Sequence, residues 1–218
     1  LRAITTAHAA ALTSAQVQAL STAQIAALET ADLRALSTAA VNAMTTAQAV
    51  ALGSDQVASL TTAQVAALTT DQLTALDTVD VRAFTTAQVA ALTTAQVASL
   101  TTAEVQAFDT ADVRALSTAQ IGALSTDQLG ALSTAQIAAL ATSQFAGFAT
   151  DDIVALSTAQ VAALGSGQVA ALNTANVNAL TTAQVVALGT AQVAALTTAQ
   201  VAALRNDQVS VLETGDVR

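Results

Sequence analysis

Cysteine, proline, tryptophan, tyrosine and lysine are all missing from this 218-residue chain, and histidine occurs once. Without cysteine no disulfide or thiolate metal site can support the fold, and the redox compartment is left undecided. Without proline there is no fixed kink or proline-initiated turn. Six basic residues, all arginine, face fifteen acidic ones for a net charge of −9, so no electrostatic footprint exists for a phosphate backbone, and nucleic-acid binding is excluded. Adsorption to a membrane through a basic face is excluded for the same reason.

Long apolar runs are also absent. Mean hydropathy is positive, yet Thr, Ser, Gln or Asp breaks every apolar stretch within a few residues, far short of the roughly 20 residues that span a bilayer. The hydropathy comes from alanine. Side chains that carry chemistry are scarce, so the composition argues against an enzyme.

What fills the chain is one unit. With Leu60-Thr61-Thr62-Ala63-Gln64-Val65-Ala66-Ala67 as the pattern, the first position recurs every eight residues from Ile4 to Leu212 without insertion or deletion. Twenty-six complete octads result, so residues 1–218 read as a single uninterrupted array. Its ends carry no atypical, polar-faced units, which suggests an excerpt of a longer array or units that join end to end. Position one is large and apolar: mostly Leu, with Ile4, Met44, Phe84, Phe108 and Phe148 as variants. Position six is Val, Ile, Leu or Phe145, apart from Ala9 and Ala49, and position eight is nearly always Ala.

A period of eight suits neither strands nor one long helix. A straight helix turns about 100° per residue, so eight residues overshoot two turns by roughly 80° and the apolar stripe would wind around the rod. Strand alternation fails because positions six to eight are usually all apolar. A helix that restarts in every octad resolves both problems. In Thr61-Thr62-Ala63-Gln64 the first Thr can cap the amide three residues on while Gln64 reaches back to the cap residue's own amide, which is a capping box. Leu60 and Val65 flank it as a hydrophobic staple. Ser21, Gly53, Asp77, Asp109, Gly165, Asn173 and Gly189 at position two are also N-cap types, whereas Ala141, Ala149 and Arg205 are not. Thr at position three is nearly invariant, so a register with the cap one residue later competes with this one.

A helix of about six residues cannot stand alone. The expectation is therefore an all-α architecture: an α-solenoid, or superhelix, of short helices whose neighbours complete a narrow Leu/Val/Ala core. Positions one and six fill the axis. Small residues at position eight let backbones approach, and positions two, four and seven take the charged and polar substitutions of a solvated side.

Candidate sites are few. His8 stands where Gln usually does, so it replaces a capping side chain; a metal site would need converging partners, and there is no second histidine. Charged residues recur together in four octads: Glu29-Asp32-Arg34, Asp77-Asp80-Arg82, Asp109-Asp112-Arg114 and Glu213-Asp216-Arg218. Charge balance on the solvated face, with each Arg paired to a carboxylate in its own or an adjacent coil, accounts for them more simply than a lateral contact or a weak calcium site. Asp151-Asp152 is a similar case. The Ser and Thr hydroxyls have no general base beside them other than His8, and no phosphate-cradling glycine loop is present. No catalytic, cofactor-binding or metal-binding residue is therefore assigned, and no cofactor is implied.

The motif Leu-Thr-Thr-Ala-Gln-Val-Ala-Ala-Leu, intact at Leu60 to Leu68 and Leu196 to Leu204, resembles tandem octapeptide arrays of long secreted or surface proteins of bacteria. That resemblance implies an extracellular, adhesin-like or fibre-forming protein in which the array serves as stalk, scaffold or filament-forming segment, with self-association end to end or lateral and no membrane insertion. It transfers no functional residue. The competing expectation is a binding module whose regular Thr/Ala/Gln surface meets a partner or lattice, ice being one such lattice.

Overall fold

The structure is a computed structural model that describes residues 4–212. Among these residues every element is a short helix, one to each octad, twenty-six in all. They run from Thr6–Ala10 to Asn206–Ser210, and nearly all hold five or six residues. The chain divides into two compact units, Leu1–Ala115 and Leu116–Arg218.

The cap falls at position two. Thr61 is extended (φ −72°, ψ 156°), its hydroxyl accepts from Gln64 N at 3.2 Å, and Thr61 N donates to Gln64 Oε1 at 2.8 Å. Thr62 is the first helical residue and lies exposed, so the register with the cap at position three is not the one adopted. The helix then stops without the left-handed glycine that ends many helices. Leu68, at position one of the next octad, turns extended (φ −57°, ψ 140°) and donates its amide to Val65 O, and Thr69 follows in the same region. Two extended residues thus join that helix to the next, while after helices such as Thr6–Ala10 and Thr86–Ala90 the position-eight residue, Ala11 or Ala91, is still in the right-handed helical region. No described residue other than glycine has positive φ, and neither does any described glycine, which fits a chain with no proline and few glycines.

In the first unit, helices pack on the third helix along: Thr6–Ala10 on Thr30–Ala35, Thr38–Asn42 on Thr62–Ala67, and Thr78–Arg82 on Thr102–Ala107. In the second, Thr142–Gly147 packs between Thr118–Ile121 and Ser166–Ala171, and Thr174–Ala179 packs on Thr198–Ala203. Hydrogen bonds also reach the fourth helix along, as from Gln64 to Leu33 O. Each coil therefore closes after between three and four octads. This is the all-α solenoid that the octad pattern implies. Positions one and six form the core: Val57, Val65, Leu73, Val161 and Val169 are fully buried, and Leu60, Leu68, Leu164 and Leu172 nearly so. Position eight is mostly half-buried alanine, where a larger side chain would hold neighbouring coils apart.

One place in the second unit departs from the pattern. Residues Thr142–Gly147 wind as a tighter 3-10 helix, and the rings of Phe145 and Phe148 stack at 5.0 Å with 12° between their planes. Gly147 there meets Gly122 of the coil beside it so closely that a Cβ on Gly147 would lie 2.4 Å from Thr118 O and 3.2 Å from Gly122 N. The missing side chains at both glycines make that contact possible.

Candidate functional site: the glutamine ladder

Position five holds the polar group that organises the fold. Gln64 is almost completely buried, and each end of its carboxamide has a separate task. Oε1 accepts from the cap amide of its own helix, Thr61 N. Nε2 donates to Leu33 O at 2.9 Å and Leu36 O at 2.9 Å, carbonyls at the C-terminal end of a helix in the coil before. The same offsets of 31 and 28 residues recur in the first unit at Gln48, Gln56, Gln72, Gln88 and Gln96. They recur in the second at Gln160, Gln168, Gln184, Gln192, Gln200 and Gln208. One side chain thus satisfies an orphan donor at the start of one helix and orphan acceptors at the end of another. The ladder holds even where position two has no capping side chain. Gly53, Ala141 and Arg205 still donate their amides to Gln56, Gln144 and Gln208, at 3.0, 2.6 and 2.8 Å.

The sequence pattern points to half of this role. A capping box needs only the oxygen of the Gln side chain. The near-invariance of a group with both an acceptor and a donor was the available sign of a second bond, but its partner lies three to four octads away, where no local pattern shows it. In consequence, glutamine is not part of the solvated surface between Gln48 and Gln208 apart from position-seven Gln106, and the regular outer face is Thr and Ala with position-seven side chains.

His8 does replace a capping glutamine: Thr5 N donates to His8 Nδ1 at 3.2 Å. The acidic residues divide between two places: Glu29, Asp77, Asp109 and Asp151 are exposed on the solvated face, and those at position five are not. Asp32, Asp80, Glu104, Asp112 and Asp152 all occupy position five and are buried. Asp80 accepts from Ser54 Oγ at 2.8 Å, Asp112 from Asp109 N and the Thr86 hydroxyl, and Asp152 from Ala149 N at 2.8 Å. Burial is the main cause that pushes the carboxyls of Asp80, Asp112 and Asp152 above the usual range; their hydrogen bonds oppose it, and a neighbouring aspartate adds to it in each case.

Two of the expected pairs are not formed: Arg34 and Arg82 make no ion pair with a described residue, and Glu213-Asp216-Arg218 lies outside the described residues. Arg205 does form one, with exposed Asp207, and it also donates to Asn178 O and Leu180 O. That contact holds Asp207 below the usual carboxylate range. Among the described residues no three His, Cys, Asp or Glu side chains gather as a metal site, and no helix is long and apolar enough to cross a membrane.

An octad that caps its own helix and clasps the coil before it defines a class of protein, the short-helix solenoid. Within that class the chain belongs to the ALTTAQ repeat family, whose model matches residues 1–30, 25–62, 74–110, 105–142, 145–182 and 175–206. No curated protein matches the chain.

Proposed function

We propose that this chain is a structural repeat element, a stalk, scaffold or filament-forming segment of an extracellular or cell-surface protein, and that it catalyses no reaction. The glutamine ladder supports this reading best. The buried amides that could have built a ligand site are instead spent on joining coil to coil, and the octads supply the same joint again and again. Length in such a protein comes from adding octads, each of which brings its own cap, core pair and clasp. A surface location rests on the resemblance to arrays of secreted proteins. Immunogold labelling of intact cells that make the protein tests it. Label held away from the envelope, at a distance that grows when octads are added, supports the stalk. Label found only after permeabilisation overturns the surface part.

A further inference from the structure

In the second unit the ladder has a gap at Asp152. Gln144 and Gln160, at position five of the octads on either side, donate to Leu116 O and Leu132 O, each at 2.7 Å. The carbonyl between those two is Leu124 O, and among the described residues no N–H or O–H donates to it. Asp152 occupies the matching position five and is buried. Its Oδ2 accepts from Ala149 N at 2.8 Å, and no described residue donates to Oδ1. Asp80 and Asp112 differ, because the hydroxyls of Ser54 and Thr86 in the coil before donate to them.

Reach is not the obstacle. Asn176, as short as Asp152 and at the same position of a later octad, donates Nδ2 to Phe148 O at 3.2 Å, across the same 28 residues. What Asp152 lacks is a hydrogen. The charged groups around it are both acidic: Asp151 on its own helix Thr150–Ala155, and Asp127 on Thr126–Ala131, which packs against it. Thr174–Ala179, the other helix packed on it, and Thr118–Ile121, which leads into Leu124, carry no charge. No cation therefore offsets the carboxylate, and burial with Asp151 alongside pushes the carboxyl above its usual range.

We propose that Asp152 is a proton-operated clasp: protonated from solvent, its carboxyl donates from Oδ1 to Leu124 O and closes the joint that the carboxylate leaves open. Oδ2 keeps the cap amide in both states. The folded-state pKa is raised, so the closed joint is present at low pH and is lost as pH rises through that raised value. Acid thus tightens one coil joint of the array. This deepens the structural reading above and rests on it.

The test is a carbon-13 NMR titration of the whole chain that follows the Asp152 carboxyl and the Leu124 carbonyl together, beside Asp152→Asn. The two resonances are expected to move with one midpoint above the ordinary carboxylate value, the Leu124 carbonyl going downfield on acidification as a carbonyl that gains a hydrogen bond does. In Asp152→Asn, which carries a permanent donor as Asn176 does, Leu124 should hold its acid position at every pH. A carboxyl that titrates at or below the ordinary value overturns the clasp. So does a raised midpoint with a Leu124 carbonyl that stays still, because burial alone would then explain the shift. Either result in a folded chain leaves the structural reading standing.

Discussion

Two stretches of the first unit solve the same problem with different side chains. In Ser54–Ser59, Thr62–Ala67 and Thr70–Thr74, position five is Gln56, Gln64 and Gln72, and each both accepts a cap amide and donates to the coil before. In Thr102–Ala107 and Thr110–Ala115 it is Glu104 and Asp112. The capping half survives there: Thr101 N donates to Glu104 at 2.6 Å and Asp109 N to Asp112 at 3.2 Å. The clasp is lost, because a carboxylate has no N–H to give to the carbonyls below. The local task accepts any acceptor of suitable reach, while the long-range task needs an amide.

The comparison breaks most severely at Gln64→Leu. This change leaves Thr61 N without its acceptor and Leu33 O and Leu36 O without their amide donor, all in a water-poor interior, and should cost about 3 kcal/mol. The fall in the urea midpoint measures it. Asp112→Gln converts the weaker stretch toward the stronger one and should stabilise the fold at neutral pH by about 1 kcal/mol, read the same way.

The sign of its pH dependence follows from burial. Asp112 has a raised pKa in the folded state, so the fold binds that proton more tightly than the unfolded chain does. Stability from this group is full below the ordinary carboxylate value and is lost as pH rises through the raised one. The advantage of Asp112→Gln should therefore shrink as pH is lowered through that window, and an advantage that grows instead would contradict the assignment.

Smaller effects separate positions two and three. Thr61→Ala removes the hydroxyl cap on Gln64 N while the clasp remains, at about 1 kcal/mol. Thr62→Ala, on the exposed first helical residue, should change stability by less than about 0.5 kcal/mol. Thermal or urea melts of the pair decide between the two possible cap registers.

What the sequence makes legible is what eight residues can settle by themselves. The cap at Thr61 and the core at positions one and six are local, and the structure keeps them. The joint between coils is a relation between Gln64 and Leu33, and nothing near either residue names the other. The number of octads per coil is hidden for the same reason, since it depends on how two extended residues redirect each helix. Buried acids at Asp80 and Asp112 look like surface charge in the sequence because they travel with arginines. Their place at position five, inside the ladder, decides their burial.

The account rests on the two-ended use of position five, and side-chain amide hydrogen exchange in a chain labelled with [15N]glutamine tests it most directly. Nε2 protons of Gln48, Gln64, Gln88, Gln160 and the other buried glutamines should exchange slowly, and those of exposed Gln16 and Gln24 at the rate of solvated amides. Solvent-like exchange throughout, with the fold intact, would contradict the ladder.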